Sequence, residues 1–95
     1  MDVRQAEAAD LAVCAALVSS LQNRPMDPHT LVLGEVGLAG EVRAVGQVEP
    51  RLAEAAKMGF KRAIIPKGSA KRLEGTKLEV VGVETLSEAL GAMFD

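Results

Sequence analysis

The side chains that could act as nucleophiles or proton acceptors are widely separated along this chain. Ser19 and Ser20 fall inside a helical apolar pattern, where serine hydroxyls usually bond back to the preceding turn of the helix. The only histidine, His29, lies in a Pro-His-Thr segment near Asp27, and these two residues are too few for a metal site. The residues alone therefore predict no recognisable catalytic pair, and Ser69 stands apart from all of them.

Neither a reactive thiol nor a nucleotide site is predicted. Cys14 is the only cysteine, so it has no partner in the chain for a disulfide or a thiolate zinc site. Its apolar neighbours favour a packed thiol of low reactivity. The glycines between Gly34 and Gly46 precede no Gly-Lys-Ser/Thr sequence and fall within a predicted hairpin, so they are not typical of a phosphate-binding loop.

Basic residues provide the remaining candidates for a binding site. A solvated basic face is the ordinary interpretation of such a group, and a modest patch facing DNA or another subunit is the alternative. The net charge of -2 gives no overall attraction to nucleic acid, and an aromatic content of 2% gives no stacking platform for bases. Any DNA contact must therefore be local, and its candidates are Arg43, Lys61, Arg62, Lys67, Lys71 and Arg72.

The length and composition predict one small domain over residues 1–95. A chain of 95 residues has room for a single core. Because it contains no Trp or Tyr and 48% hydrophobic residues, that core must consist mainly of Ala, Val, Leu and Ile. There is no signal peptide and no apolar run approaching about 18 residues, so we expect a soluble, cytoplasmic protein without a membrane partner.

The strongest helical pattern runs from about residue 7 to residue 22. Apolar side chains recur at helical spacing, and further apolar residues occupy most of the intervening positions, which predicts a helix covered on several sides. Asn23-Arg24-Pro25 is expected to end it, because proline disfavours helical geometry in the residue before it. The predicted inner stripe is Leu11, Cys14, Ala15, Val18 and Leu21.

A glycine-rich hairpin follows. Residues 31–33 begin a strand, residues 38–40 form its turn and residues 41–45 return. The repeated glycines indicate bulges or close backbone approaches. The next helix should have Pro50 in its first turn and should end at Gly59 in a left-handed conformation, with Leu52, Ala55 and Ala56 on its inner face.

Two strands and a helix complete the prediction. Residues 63–65 form a short buried strand closed by Pro66, and a polar connection with one helical turn after Ser69 leads to a strand over residues 78–83. Thr85 and Glu88 form a capping box for the last helix. This mixed order predicts an α/β fold of the α+β two-layer type, with helices packed on a sheet.

Several short segments, taken in order, resemble one known family. They are residues 9–12, 18–21, 24–25, 34–43, 55–66 and 86–90. Together they are similar to the C-terminal Lon protease-like domain of the RadA (Sms) type of bacterial DNA repair protein. The resemblance implies a Lon protease-domain-like fold of the ribosomal protein S5 domain 2-like superfamily. It also implies truncation at the N-terminal strands and a fragment of a longer RadA-type chain.

The resemblance further implies that the protease chemistry has been lost. Active Lon domains use a serine at the start of the long helix and a lysine after a Gly-Gly-Leu sequence. The aligned positions here carry Ala8 and Glu49. Alanine has no nucleophilic atom and glutamate cannot replace the lysine, so this chain is expected not to be an enzyme. Asp10 also replaces a small glycine near the former site.

RadA-type proteins combine a zinc finger, a RecA-like ATPase and this Lon-like domain in ring-shaped assemblies that act in recombinational repair and branch migration. The resemblance therefore implies a non-catalytic scaffold and homo-oligomerisation domain that also contributes contacts to branched or single-stranded DNA. No cofactor is expected in this chain, since ATP, magnesium and zinc would belong to the other parts of the parent protein. The alternative is a Lon-like ATP-dependent serine peptidase with a displaced active site, for which Ser69 is a candidate.

Overall fold

A computed structural model of the chain describes residues 8–71 and 76–94. These residues form two three-stranded sheets, an antiparallel one in the order β1-β3-β4 and a parallel one in the order β2-β5-β6. The predicted mixed α/β class is therefore confirmed. The elements are β1 (Ala8–Asp10), α1 (Leu11–Gln22), β2 (Thr30–Val32), β3 (Glu35–Gly37), β4 (Val42–Arg43), α2 (Val48–Lys57), β5 (Arg62–Pro66), α3 (Lys67–Ala70), β6 (Glu79–Val83) and α4 (Leu86–Phe94).

Strand β5 is the centre of the parallel sheet and of the core. Ala63, Ile64 and Ile65 are all fully buried, and successive side chains of a strand point to opposite faces of the sheet. Ile64 packs in a cluster with Leu11, Val32, Val36, Val83 and Ala89. Ala63 and Ile65 pack in a second cluster with Leu52, Ala55 and Leu78. The short buried strand predicted here is confirmed, because a parallel strand covered on both faces has a continuous apolar sequence.

Helix α1 begins at Leu11, four residues later than the predicted start at residue 7. Residues Ala8–Asp10 instead form β1, which pairs with β3. The Asp10 carboxylate then accepts the backbone N–H groups of Ala12 at 2.8 Å and Val13 at 3.3 Å. These N–H groups lack partners within the helix, so the aspartate caps it.

The prediction that α1 is covered on several sides is wrong for the described residues. Leu11 and Ala15 are fully buried, whereas Val13 is 56% exposed, Leu17 59% and Leu21 85%. Only one side of the helix packs against the sheets, since Leu11 belongs to the core cluster around β5. The predicted inner position of Leu21 is likewise wrong.

The predicted hairpin is confirmed, but its first strand lies later in the chain. Residues Thr30–Val32 pair in parallel with β5, whereas Glu35–Gly37 pair with β4 as the first strand of the hairpin. Gly34 joins the two sheets with a φ of 147°. A Cβ on Gly34 would lie 3.1 Å from Cγ1 of Val42, so this joint favours glycine both in conformation and in space.

Helix α2 agrees with its predicted pattern. Pro50 lies in its first turn, and Leu52 and Ala55 are buried. Gly59 follows the helix with a φ of 97°. The N–H of Phe60 donates to the Ala55 carbonyl at 3.1 Å, which completes the expected termination at a left-handed glycine.

The last elements differ from prediction in detail. Helix α3 contains Ser69 within Lys67–Ala70 instead of beginning after it. The Thr85 hydroxyl accepts the backbone N–H of Glu88 at 3.1 Å and lies 3.5 Å from the Glu88 carboxylate. The predicted cap at the start of α4 is therefore confirmed for the threonine side chain, whereas the Glu88 carboxylate contacts the Thr85 hydroxyl. None of the described helices is long and apolar enough to cross a membrane.

Candidate nucleic-acid interface

The basic residues that cluster in sequence lie at opposite ends of β5. Lys61 and Arg62 lie at its amino end, whereas Lys67 and Lys71 follow its carboxyl end. A strand rises about 3.3 Å per residue, so the two ends of this short strand are about 15 Å apart. The predicted basic cluster is therefore two separate groups, and Arg72 lies outside the described residues.

The carboxyl end of β5 opens into a groove of about 490 Å³. We call it the polar groove. It lies where β5 and β6 end, and the β3–β4 hairpin and the segment after it form its opposite wall. Backbone bonds fix this arrangement, since the N–H of Val42 donates to the Glu84 carbonyl at 2.8 Å. The lining residues are Glu41, Val42, Ala44, Pro66, Lys67, Gly68, Lys71, Val83 and Glu84.

One charged pair lines the polar groove, and a second has only its glutamate in the lining. Lys67 Nζ lies 3.2 Å from Glu84 Oε1, and Arg43 Nη2 lies 2.9 Å from Glu41 Oε2. All four side chains are about half exposed, so these pairs add little to stability because solvent screens them. Lys71 lines the same groove. The groove therefore brings together the predicted residues Lys67 and Lys71 with the carboxylates of Glu41 and Glu84, and Arg43 lies beside it through its pair with Glu41.

Glu41 connects the polar groove to the hairpin turn. Its carboxylate accepts hydrogen bonds from the Arg43 guanidinium and, at 3.1 Å, from the backbone N–H of Ala39. The Arg43 hydrogen bond is the main cause that lowers the pKa of Glu41, and the N–H groups of Glu41 itself and Ala39 lower it further. A Cβ on Gly37 would lie 2.4 Å from this carboxylate, so Gly37 makes room for it.

The sequence interpretation missed Glu41 and Glu84 as parts of this site. A signal for Glu41 is present, because Glu41 and Arg43 are two residues apart in a predicted strand and must share one face. Opposite charges at that spacing predict a pair. No local pattern indicates Glu84, since it reaches the groove only through the pairing of β6 with β5.

At the amino end of β5, more of the basic residues' groups take part in internal hydrogen bonds or burial than at the carboxyl end. The backbone N–H groups of Lys61 and Arg62 both donate to the His29 carbonyl, at 2.9 Å and 3.2 Å. Arg62 is half-buried, and its Nε atom is buried without a hydrogen-bond partner. Lys61 is exposed. Of the two candidates at this end, only Lys61 therefore has a side chain that is free to reach a ligand.

The two positions of the expected degenerate dyad lie in different elements. Ala8 is in β1, where its backbone pairs with Gly37, and not at a helix start as expected. Glu49 is an exposed residue in the first turn of α2, which follows Gln47 in a left-handed conformation with a φ of 64°. The charge of Asp10 is engaged in capping α1.

The remaining chemistry-bearing side chains have local roles. The Asp27 carboxylate accepts the backbone N–H of His29 at 2.9 Å and the Thr30 hydroxyl at 3.0 Å, and these bonds lower the pKa of Asp27. Cys14 is half-buried against the core, and the Ser19 hydroxyl donates to the Arg24 carbonyl. Within residues 8–71 and 76–94, no group of three or more His, Cys, Asp or Glu side chains could hold a metal ion.

Comparison with known families gives the class of the chain. Residues 3–69 match the family model described as "Subunit ChlI of Mg-chelatase". This match covers well over half of the chain, and the chain belongs to that family.

Curated relatives give a finer resemblance. The DNA repair protein RadA of Pseudomonas aeruginosa is 52% identical over 88 residues, which is 93% of this chain and 19% of that protein. RadA of Escherichia coli is 46% identical over 87 residues, with 92% and 19% covered. RadA of Synechocystis sp. is 48% identical over 79 residues, with 83% and 14% covered. The resemblance to the C-terminal part of RadA proteins is thereby confirmed, and the chain spans less than one fifth of the length of these relatives.

Proposed function

We propose that this chain is a non-catalytic, Lon protease-like scaffold and oligomerisation domain of a RadA-type DNA repair protein. The observation that carries the proposal is the 43–52% identity to several proteins named DNA repair protein RadA. The domain would hold copies of the parent protein together and add contacts to branched or single-stranded DNA. Cytoplasmic recombination and branch migration would be activities of the whole assembly, whose ATP, magnesium and zinc sites lie elsewhere.

The absence of peptidase chemistry in the proposal is supported by residue type and placement. A serine–lysine pair requires the two side chains to lie within hydrogen-bond reach of each other. Position 8 carries an alanine, and the glutamate at position 49 is exposed on the first turn of α2. Ser69, the candidate for a displaced nucleophile, is half-buried in the four-residue helix α3.

A DNA contact is supported by the polar groove. Lys67 and Lys71 line a cleft that no other described part of the chain fills, and Arg43 pairs with Glu41 of its lining. Lysine and arginine side chains bind phosphates without reading sequence. Glu41 and Glu84 partly offset this positive charge, so the contact should be modest and should weaken as salt rises.

Assembly is supported by helix α1. A helix that is apolar on all sides is normally buried, yet Val13, Leu17 and Leu21 are each more than half exposed. Contacts with the rest of a RadA-type assembly would remove these side chains from water. This surface is continuous along one side of the helix, since the three residues follow one another at intervals of four.

Light scattering of the purified chain, with and without a branched DNA, tests the proposed function. We expect a mass above that of the monomer that rises with protein concentration, and a further rise when DNA is added. A strict monomer that leaves the DNA unbound at low salt would contradict both parts of the proposal.

Labelling with a serine-reactive phosphonate tests the peptidase alternative, because stoichiometric labelling would overturn the non-catalytic assignment.

A further inference from the structure

Leu38 is an apolar side chain at the tip of the β3–β4 hairpin. It is 83% exposed, at a turn position where small or polar residues are usual. An isolated exposed leucine is common on protein surfaces and by itself indicates nothing. The surroundings of Leu38 give it significance.

The turn that carries Leu38 is held from several directions. Within the hairpin, the N–H of Gly40 donates to the Gly37 carbonyl at 3.0 Å, and the N–H of Ala39 donates to Glu41 Oε1 at 3.1 Å. From outside it, the N–H of Leu86 at the start of α4 donates to the Gly40 carbonyl at 2.8 Å. The leucine is therefore presented on a preorganised turn, and little conformational entropy is lost when it meets a partner.

The same turn adjoins the polar groove. The Glu41 carboxylate, which accepts the N–H of Ala39, also lines the groove with Lys67 and Lys71. Arg43 Nη2 lies 2.9 Å from Glu41 Oε2. Glu41 therefore ties the turn that carries the apolar tip to a groove lined by two lysines, and Arg43 pairs with the same carboxylate. DNA-distorting proteins use this combination, in which an apolar side chain enters between bases while cations hold the neighbouring phosphates.

We propose that Leu38 is a wedge that contacts an unstacked base at a branch or single-strand junction in DNA. Arg43, Lys67 and Lys71 hold the adjoining phosphates. This inference rests on the proposed DNA contact and assigns it a preferred DNA feature. A protein partner fits less well, since a stable protein interface needs about 800 Å² per side and Leu38 is followed by only Ala39 and Gly40 in its turn.

The test compares two exposed apolar residues. Leu38→Gln replaces the wedge by a polar side chain of similar length. Met58→Gln is the matched control, because Met58 is 71% exposed and follows α2 as its C-cap, outside the lining of the polar groove. Each purified protein is added to a forked duplex carrying 2-aminopurine at the junction, and to the same duplex without a branch. Fluorescence intensity reports unstacking at the junction, and anisotropy of an end label reports binding.

We expect the unaltered chain to raise 2-aminopurine fluorescence at the fork. Because unstacking depends on the apolar wedge, Leu38→Gln should reduce that rise by about threefold or more and change overall affinity by less than about twofold. Met58→Gln should behave like the unaltered chain. Equal unstacking by Leu38→Gln and Met58→Gln, with DNA still bound, would overturn the wedge and leave the DNA contact standing.

Two other outcomes would also overturn the wedge. A change in solution mass for Leu38→Gln, with unstacking unchanged, would assign the hairpin tip to a protein contact. A lack of DNA binding by the unaltered chain at low salt would remove the proposed DNA contact together with the wedge.

Discussion

The two ends of strand β5 carry similar charges but differ in what those charges can do. At the amino end, Arg62 is half-buried and the backbones of Lys61 and Arg62 share the His29 carbonyl. At the carboxyl end, Lys67 and Lys71 line an open groove of about 490 Å³. A run of basic residues in a sequence is therefore not one surface when a buried strand passes through it.

The difference arises from what each end meets. The amino end joins the loop that leads into β2, so its groups are used in backbone pairing. The carboxyl end faces the hairpin, whose charged side chains Glu41 and Arg43 pair with each other. A ligand at this end can compete for partners that are already half exposed, so we propose this end as the binding surface.

The largest expected effect on stability comes from a substitution in the buried middle of β5, which separates the two ends. Ile64→Ala empties space at a fully buried position in β5. We expect a loss of about 2–5 kcal/mol in unfolding free energy, measured by urea denaturation, because the cavity adds to the lost burial. Ile64→Val is the graded control and should cost about 0.5–1.5 kcal/mol. Equal stability of the two variants would contradict the central position of β5.

A smaller effect on stability is expected at Gly34, which joins the two sheets and so places the hairpin at the carboxyl end of β5. Gly34→Ala places a Cβ on a residue with a φ of 147°, 3.1 Å from Cγ1 of Val42. We expect destabilisation of about 1–3 kcal/mol, since L side chains rarely adopt this conformation. Gly46→Ala is the control, because its Cβ would meet open space. If urea denaturation gives the two variants the same stability, then Gly34 is not a constrained joint.

The smallest effect concerns pH and reports on the contact between Glu41 and Arg43 in the hairpin. The pKa of Glu41 is lowered, chiefly by Arg43, so its ionised form favours the folded state at neutral pH. As the pH falls below the ordinary glutamate value of about 4.3 and through the lower pKa of Glu41, that contribution is lost. Glu41→Gln should flatten this part of the stability curve. NMR titration of the Ala39 amide gives a local measurement, and an amide shift unaffected by acid would contradict the contact.

Local pattern predicted much of the fold. The apolar run of β5, the spacing of Leu52 and Ala55, and the left-handed Gly59 each have a local cause, and each appears as predicted. The predicted start of α1 is wrong because an aspartate before an apolar stretch, here Asp10, is compatible with either the interior or the N-cap of a helix. The pairing of β1 with β3 determines that Asp10 is the N-cap. The division of the hairpin region between two sheets at Gly34 also depends on distant partners.

The candidate site was less predictable than the fold. Arg43, Lys67 and Lys71 are recognisable as basic residues, but the approach of Arg43 to the two lysines requires the hairpin to lie against the end of β6. That contact is made by backbone groups of Val42 and Glu84, which carry no sequence signal. The exposed side of α1 could not be predicted for the same reason, since the sequence of a largely apolar helix does not indicate which of its sides packs against the sheets.

The most direct test of the account measures DNA binding after equal charge loss at the two ends. Lys67→Gln with Lys71→Gln removes two cations from the polar groove. Lys61→Gln with Lys77→Gln removes two exposed cations at the other end, where Lys77 lies just before β6, whose first residue pairs with Arg62. Fluorescence anisotropy with a forked DNA is recorded across a salt series. Because lost phosphate contacts weaken binding and flatten its salt dependence, the groove pair should lose about tenfold in affinity at low salt, and the other pair less than about threefold. Equal losses at both ends, or a larger loss for the pair at the amino end, would contradict the assignment of the polar groove as the DNA-facing surface.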